Sequence, residues 1–197
     1  MSMPPEHQRF SVEEYFRREE TATDKHEYRD GQIVMMAGGS RFHSLIITNA
    51  LRGIGNRLAG KPCEVYDSNL RVRIPRRLRY VYPDITVVCG KFEADPNDPS
   101  GGSVLNPKLI VEVLSPPTEG YDRGEKFDGY RQIQSFDEYV LISQNSPHVQ
   151  TFLRQTEGLW LFDASAGIEG ALKLKSLGLE LPLSEIYAGV EFPPAAE

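Results

Sequence analysis

The sequence predicts an α/β (α+β) fold with a mixed β-sheet core flanked by helices. Several apolar runs have the length of strands, and the segment 40–58 carries apolar residues at helical spacing. An apolar strand at 108–115 is linked through a helix at 125–133 to a further strand at 138–144. A link of this length is typical of the crossover that joins two parallel strands. The core is therefore expected at about 40–144.

Two elements are predicted ahead of the core, within 11–39. The stretch SVEE opens 11–20 and carries the Ser and Glu of a capping box, so a short helix is expected there. An Asp-Gly pair at Asp30 marks the turn of a hairpin over 28–39. This helix and this hairpin form an N-terminal addition to the core.

The core segments follow from apolar runs and from the polar stretches between them. Ser40 can cap the helix at 40–58. The stretch 108–115 is apolar except for Glu112, which predicts a central strand that is buried on both faces. The remaining segments are expected as strands at 63–74 (one strand or a bent pair), 80–88 and 138–144, and as turns or loops at 75–79, 91–107 and 115–124.

The C-terminal part predicts a second addition, over 149–187. A hairpin is expected over 149–164, with its turn at Glu157 and Gly158. A short strand and a terminal turn are expected over 171–187. A chain of 197 residues suits one domain, so residues 1–197 are expected to fold as a single unit.

Composition and charge limit the classes of function. The net charge of −6 argues against a general coat for nucleic acid, although it is compatible with a local basic groove. No apolar run approaches the roughly 20 residues that span a bilayer, so no membrane partner is expected. The N-terminal segment lacks the apolar region of a signal peptide, which predicts a cytoplasmic protein. Cys63 and Cys89 are expected as buried free thiols rather than as a disulfide, which fits that location.

Two carboxylates inside apolar strands are the leading candidates for a functional site. Asp84 precedes the apolar stretch ITVV, and Glu112 lies within 108–115. A buried carboxylate is costly unless it is paired or holds a metal ion. Neighbouring strands lie about 4.8 Å apart, so two such side chains on one face can share a hard cation such as Mg²⁺, with the Val113 carbonyl as a third oxygen. The alternative is that each carboxylate pairs with an arginine or caps a strand end.

Lys126 opens the helix that follows the Glu112 strand, and its side chain can reach back over that end of the sheet. There the ammonium group could lower the pKa of an attacking water or neutralise a phosphate. The alternative is a solvated lysine at a helix start, beside Glu125 and Asp122.

The spacing of these residues resembles the PD-(D/E)xK nuclease superfamily. More closely, the chain is similar to the Uma2 family (DUF820) of restriction-endonuclease-like proteins, over about 11–187. The chain departs from the superfamily pattern at Leu114, where a lysine is usual; as in Uma2 proteins, the lysine is displaced to the next helix. The resemblance is carried by Pro83-Asp84, Glu112-Val113 and Lys126, and by the stretches SVEEYF, HEYRDGQIVMM, VYPDITVV, LIVEVLSP, DRGEKFDGYRQI and EYVLIS.

The resemblance implies a restriction-endonuclease-like core and a metal-dependent endonuclease that hydrolyses phosphodiester bonds. The implied partner is nucleic acid, with DNA favoured, and the implied cofactor is Mg²⁺ or Mn²⁺. Asp84, Glu112 and the Val113 carbonyl would hold the metal ion. Lys126 would orient the attacking water or offset charge at the scissile phosphate.

His43 and Glu27 are further candidates for catalytic roles. His43 lies on the helix at 40–58, where it could bind the metal ion, donate to a carboxylate or carry a proton. The alternative is a helix-face histidine that is only hydrogen-bonded. Glu27 matches an acidic position of the family ahead of the Asp-Gly turn. It completes the acidic cluster or pairs with Lys25 or Arg29.

A local excess of arginine surrounds the turn before Asp84. Arginine forks bind phosphates bidentately, so this segment could grip a nucleic-acid backbone without reading sequence. The alternative is a solvated edge whose charges pair with Glu and Asp and prevent aggregation. The residues concerned are Arg71, Arg73, Arg76, Arg77 and Arg79.

A second function class remains open at this point. The modest charge, the displaced lysine and the lack of a sequence-reading motif are compatible with a catalytically weak or inactive nuclease fold that binds nucleic acid or regulates it. The flanking hairpins leave exposed strand edges, so a homodimer is a further expectation.

Overall fold

The structure is a computed structural model that describes residues 9–36, 38–76 and 78–192. Over these residues the chain has the mixed helix and strand content that the sequence predicts. The elements are α1 (Val12–Glu19), β1 (His26–Arg29), β2 (Gln32–Met35), α2 (Arg41–Leu58), β3 (Cys63–Asp67), β4 (Arg71–Ile74), β5 (Arg79–Val81), β6 (Ile85–Cys89), β7 (Ser103–Val104), β8 (Leu109–Leu114), α3 (the successive helical pieces Glu119–Tyr121, Asp122–Lys126 and Phe127–Tyr130), β9 (Glu138–Ser143), β10 (His148–Arg154), β11 (Trp160–Ala166), β12 (Ala171–Leu174), β13 (Leu179–Pro182) and α4 (Leu183–Ile186).

The local turn and cap signals are confirmed. Ser11 accepts a hydrogen bond from the Glu14 N–H at the start of α1, and Ser40 accepts one from the His43 N–H at the start of α2. Asp30 has a φ of 50° and the next glycine a φ of 93°, the left-handed pair that joins β1 to β2.

A mixed six-stranded sheet forms the centre of the fold, in the order β11-β10-β9-β8-β6-β3. Strand β8 is buried along its whole length, pairs antiparallel with β6 and pairs parallel with β9. The parallel pair confirms the predicted crossover through α3. Because side chains alternate along a strand, β8 contributes to two cores, one on each face of the sheet.

Helix α2 covers one face of the central sheet. Ile46 and Ile54 of this helix pack in one core cluster with Val111 and Val140 of the sheet. Helix α3 covers the other face, where Tyr130 belongs to a second cluster. Among the described residues, no helix combines the length and the apolar character that are needed to cross a bilayer.

The chain changes sheet at 82–84, so the prediction of one strand over 80–88 is wrong. Strand β5 belongs to a second sheet, ordered β2-β1-β5-β4-β7, whereas β6 belongs to the central sheet. Pro83 lies at the break, where the chain needs no donor for a strand ladder. The segment 63–74 divides in the same way, into β3 of the central sheet and β4 of the second sheet. Asp84 therefore lies at the seam between two sheets.

Other boundaries also differ from the prediction. Helix α3 begins at Glu119, inside the expected loop, although Pro116, Gly120 and Gly124 there are typical helix breakers. The hairpin β10-β11 extends the central sheet rather than flanking it, and 171–187 forms a hairpin, β12-β13, followed by α4.

Cys63 and Cys89 form a disulfide, which corrects the expectation of free thiols. The antiparallel register of β3 and β6 places the two residues opposite each other, with their Cα atoms 4.0 Å apart. They lie 26 residues apart in sequence, and neither run of apolar residues reveals that the two strands pair. The bond ties the edge strand β3 to the central sheet, and the argument from free thiols to a cytoplasmic location no longer applies.

Candidate active site

Asp84 and Glu112 meet where β6 begins and β8 ends. The register that pairs Ile85 with Val111 continues by one residue to bring Asp84 opposite Glu112. The Asp84 N–H lies 3.4 Å from Glu112 Oε2, and the Val113 N–H donates to Asp84 Oδ2 at 2.7 Å. Glu112 is only 3% exposed. The expected pair of neighbouring carboxylates is therefore present.

Lys126 reaches this pair rather than pointing to solvent. Its Nζ lies 2.8 Å from Glu112 Oε1, 3.3 Å from Asp122 Oδ1 and 3.7 Å from Glu27 Oε1. The piece of α3 from Asp122 to Lys126 is wound as a π-helix, a geometry often found at functional sites. This winding directs both of its end residues into the same buried pocket.

Glu27 belongs to the same cluster and is buried. Its Oε2 accepts hydrogen bonds from Arg29 Nε at 2.8 Å and Nη2 at 2.6 Å, while its Oε1 faces Lys126. The two interpretations of Glu27 thus hold together, since the side chain joins the acidic cluster and also pairs with Arg29. Arg29 stacks on the ring of Tyr121, with Cζ 3.8 Å from the ring centroid.

Two buried tyrosines donate hydrogen bonds to the cluster from the core. Tyr130 donates to Glu112 Oε1 at 3.0 Å, and Tyr139 donates to the Asp122 carbonyl at 3.0 Å. Both rings are fully buried in the core between α3 and the sheet. They fix the Glu112 side chain and the start of the π-helical turn, so the cluster is built on rigid elements.

His43 approaches from the opposite face, on the first turn of α2. Its Nε2 lies 2.9 Å from the Val113 carbonyl and 3.6 Å from Asp84 Oδ2. A carbonyl only accepts hydrogen bonds, so Nε2 carries the proton in this arrangement. A Cβ added at Gly39 would lie 2.5 Å from His43 Nδ1, and only a glycine allows this ring position.

The cluster opens to solvent through a cleft of about 190 Å³. Met35, Pro117 and Thr118 line the cleft together with the charged residues described above. The carboxylates thus line a cleft and are largely buried, rather than lying on an open surface.

Carboxylates outnumber cations in the cluster. Asp84, Glu112, Glu27 and Asp122 face Lys126 and Arg29, so the ionised cluster has an excess of negative charge. Burial raises the pKa of Glu112 well above its ordinary value, and the charges of Asp122 and Asp84 add to this effect. Burial also raises the pKa of Asp84. Burial alone would lower the pKa of Lys126, but Glu112, Glu27 and Asp122 outweigh it and the pKa lies well above its usual range.

The donor atoms fit a hard divalent cation. Asp84 Oδ1 is unused by the hydrogen bonds among described residues, Glu112 Oε2 meets only a long contact, and the Val113 carbonyl has a second lone pair besides the one facing His43. Three oxygens, two of them anionic, suit Mg²⁺ or Mn²⁺, which keep several waters. No group of three or more His, Cys, Asp or Glu side chains converges on one metal position among the described residues. The fit therefore depends on the backbone carbonyl as well as on the two carboxylates.

Comparison with known proteins gives the relatives of this chain. A family profile described as "Uma2: Putative restriction endonuclease" matches residues 12–184. The chain belongs to the Uma2 family.

Two relatives come from Synechocystis sp. (strain PCC 6803). "Uncharacterized protein slr1290" is 38% identical over 185 residues, covering 93% of this chain and 94% of the relative. "Uncharacterized protein sll1609" is 35% identical over 154 residues, covering 78% of this chain and 86% of the relative. A crystal structure from Anabaena variabilis, described as "a putative nuclease belonging to DUF820", has a TM-score of 0.68 at 16% identity, covering 90% of this chain and 97% of that chain. This last likeness confirms the predicted restriction-endonuclease-like fold.

The arginines that the sequence predicts for nucleic-acid binding differ in position. Arg71 is buried and donates to Asp98, and Arg79 is buried between Asp30 and Glu125. Arg73 is partly exposed, with Nε 3.5 Å from Asp95, and Arg76 is exposed. Arg77 lies outside the described residues. In this Uma2 protein the described part of the segment therefore offers Arg76, and partly Arg73, to solvent.

Asp122, Arg29 and Tyr121 are among the residues that the sequence prediction did not assign to the site, although the structure places them at the acidic cluster or in its cleft. Asp122 has a usable signal, because residues four apart on a helix lie on one face and Lys126 is four residues later. Arg29 also has one, since residues two apart on a strand share a face and Glu27 is two residues earlier. Tyr121 has no signal in its surroundings.

If the acidic cluster holds a divalent cation, binding of that cation is expected to release protons and to tighten as the pH rises. The raised pKa of Glu112 and Asp84 means that the metal-free folded protein retains protons above their ordinary values of 4.5 and 3.8. The protonated carboxyl groups therefore add to the free energy of unfolding of the metal-free protein. This contribution is complete at low pH and is lost as the pH rises through the raised pKa. A divalent cation competes with these protons, so its stabilising effect grows with pH.

Thermal unfolding checks this expectation with Mn²⁺ and with EDTA at about pH 6 and about pH 8. The increase in Tm caused by Mn²⁺ should be larger at the higher pH. Calorimetry in two buffers of different ionisation enthalpy should detect the released protons. An equal increase in Tm at both pH values, with no proton release, would contradict the assignment.

Proposed function

We propose that this protein is a metal-dependent endonuclease that hydrolyses phosphodiester bonds in DNA, with Mg²⁺ or Mn²⁺ as its cofactor. The observation that carries the proposal is the convergence of Asp84, Glu112 and Lys126 in one cleft. The Uma2 family and its nuclease-fold relative support a nuclease in general. The metal ion, the DNA substrate and the residue roles belong to the proposal.

Asp84 Oδ1, Glu112 Oε2 and the Val113 carbonyl would hold the cation. When bound, such an ion activates a water molecule and stabilises the negative charge that develops on the phosphate. His43 positions the Val113 carbonyl through its Nε2–H, and the Val113 N–H positions Asp84. Tyr130 and Lys126 fix Glu112 Oε1, which leaves the other oxygen of that carboxylate directed elsewhere.

Lys126 has two roles in the proposed reaction. Its charge keeps Glu112, Asp122 and Glu27 close together without mutual repulsion. In the presence of substrate it would orient the attacking water or offset charge at the phosphate. Glu27 holds Lys126 from the side of β1.

One observation favours the alternative function. The three contacts of Lys126 Nζ within 4 Å that involve charged groups are all with carboxylates, and its side chain is only 6% exposed. A lysine with its charge committed in this way acts weakly on substrate. This favours a nuclease-fold module that binds nucleic acid or regulates it, with little or no cleavage.

Partners and location complete the proposal. We assign nucleic-acid contacts outside the cleft to Arg76 and Arg73, the described arginines of the segment with solvent exposure. A homodimer would present two clefts to the two strands of a duplex, and light scattering would test it. A cytoplasmic location follows from the proposed substrate.

A cleavage assay separates the two functions. Supercoiled plasmid and branched DNA are incubated with the protein and Mg²⁺ or Mn²⁺, and nicked or linear products are measured. Products that depend on the metal ion support the enzyme. Retarded migration of DNA without products supports the binding module.

The metal site is tested by calorimetry with Mn²⁺ on the wild-type protein and on Asp84→Ala. Removal of one of two carboxylate ligands is expected to weaken Mn²⁺ binding by more than about 10-fold. Asp137→Ala removes a partly exposed carboxylate beside Lys108, at the opposite end of β8 from Glu112, and should bind Mn²⁺ as the wild type does. Equal binding heats for Asp84→Ala and the wild type would exclude Asp84 as a ligand.

A further inference from the structure

We propose that Arg29 is the residue that contacts the substrate phosphate in the cleft, through the part of its guanidinium group that faces away from Glu27. The proposal rests on the proposed function, because it assigns a phosphodiester to this cleft. It adds a substrate-binding residue that the sequence pattern of the nuclease superfamily does not contain.

The first argument compares the cations of the cleft. The Lys126 side chain is 6% exposed and its Nζ faces three carboxylates. His43 is 14% exposed, and its Nε2 faces the Val113 carbonyl. The Arg29 side chain is 30% exposed and lines the cleft. Among the described residues of the cleft, Arg29 is therefore the cation that an incoming anion can reach.

The second argument concerns the free edge of the Arg29 guanidinium. Glu27 Oε2 takes the hydrogen bonds from Nε and Nη2. The other N–H groups, on Nη1 and the outer side of Nη2, make no hydrogen bond to the described residues. A guanidinium edge of this kind matches two oxygens of a phosphate.

The third argument is preorganisation. The fork to Glu27 fixes the guanidinium in its plane, and the Tyr121 ring supports its face at 3.8 Å. Tyr121 and Glu27 are themselves held by α3 and β1, so little side-chain freedom is left to lose on binding. An arginine held on two sides binds an anion at a lower entropic cost than a free surface arginine.

The fourth argument is electrostatic. When the carboxylates are ionised, four negative charges face the positive charges of Lys126 and Arg29, so one divalent cation brings the cluster to neutrality. Without Arg29, the metal-bound cluster would keep one net negative charge and would repel a phosphodiester. Arg29 removes that repulsion from within the cluster, since Glu27 Oε2 binds Arg29 while Glu27 Oε1 faces Lys126.

The test measures binding of a fluorescein-labelled thymidine oligonucleotide by fluorescence anisotropy, with Ca²⁺ in place of Mg²⁺ to suppress cleavage. Loss of a charge-assisted, bidentate contact is expected to weaken binding by about 10-fold or more in Arg29→Met. Arg29→Lys keeps the charge and loses the fork, so binding should weaken by about 3-fold. The Kd for Mn²⁺ should stay within about 3-fold of the wild-type value in both variants, since Arg29 is not a ligand.

Arg17 provides a matched control. It also binds a glutamate, Glu14, through Nε and Nη2 at 2.8 Å each, on the exposed surface of α1; Glu14 accepts with two oxygens, whereas Glu27 accepts from Arg29 with one. Arg17→Met should bind the oligonucleotide as the wild type does. A general effect of net charge would weaken both variants equally and would overturn the assignment.

The remaining outcomes are also decisive. Oligonucleotide binding that is unchanged in Arg29→Met, or absent in the wild type, would overturn the proposal. A parallel loss of Mn²⁺ affinity and of Tm in Arg29→Lys would assign Arg29 a purely structural role and overturn it too. Arg29-dependent binding by a wild-type protein that cleaves no DNA would uphold this proposal and reject the proposed endonuclease.

Discussion

Replacing Lys126 by Met is expected to lower the free energy of unfolding by about 3–5 kcal/mol. The lysine is buried, and its charge holds Glu112, Asp122 and Glu27 together. Its removal leaves buried carboxylates without a counter-charge, a change that costs more than the attraction of an exposed ion pair. Chemical denaturation followed by circular dichroism measures the loss.

Two comparisons isolate the cause of this loss. Lys108→Met removes a lysine whose pair with Asp137 is about one-third exposed on both sides, so it should cost less than about 1 kcal/mol. The double variant Lys126→Met/Glu112→Gln should recover part of the stability, because one of the stranded charges is gone. A loss below about 1 kcal/mol in Lys126→Met would mean that the cluster is solvated and that the buried ion network is not formed.

Local signals in the sequence predict the local structure of this protein well. The serines that cap α1 and α2 and the Asp-Gly turn after β1 each act through neighbouring backbone groups. The apolar stretch around Glu112 predicts a buried central strand, because burial on both faces demands a continuous apolar run. Each of these features depends on residues within a few positions of one another.

Features that depend on strand pairing were harder to predict. The residues of 80–88 form an uninterrupted run of strand-like character, yet β5 and β6 pair with partners in different sheets. The Cys63–Cys89 bond depends in the same way on the pairing of β3 with β6. Periodicity reports which face of a strand is buried but not which strand lies beside it.

The candidate site also combines features that local sequence signals predict with features that depend on contacts between distant residues. The two carboxylates in apolar stretches predict a shared site, and the register of β6 with β8 supplies the contact that places Asp84 opposite Glu112. Lys126 reaches the pair as its place after β8 predicts, but the π-helical winding of the piece of α3 that carries it has no signal in the local pattern. Arg71 and Arg79 belong to an arginine-rich segment that is typical of a surface patch. Their side chains are nevertheless buried and pair with Asp98 and Asp30.

Replacing Glu112 by Gln is expected to lower the rate of cleavage by about 10³-fold while leaving the fold intact. Burial already opposes ionisation of Glu112 and raises its pKa, so a neutral amide of nearly the same shape suits the metal-free pocket. The amide oxygen still accepts hydrogen bonds from Lys126 and Tyr130. It no longer offers an anionic oxygen to a cation, and the loss of that charge removes activity rather than stability.

The free energy of unfolding without metal should change by less than about 1 kcal/mol in Glu112→Gln, in contrast to Lys126→Met. Glu185→Gln is the matched control, because Glu185 pairs with Arg57 at a partly exposed site that does not line the cleft, and it should cleave at the wild-type rate. Plasmid nicking at saturating Mn²⁺ and denaturation in EDTA measure the two properties separately. Cleavage within about 10-fold of the wild type would show that Glu112 is not a metal ligand. A large loss of stability would instead show that ionised Glu112 is required to neutralise Lys126. The main role of Glu112 would then be to stabilise the fold rather than to bind a metal ion.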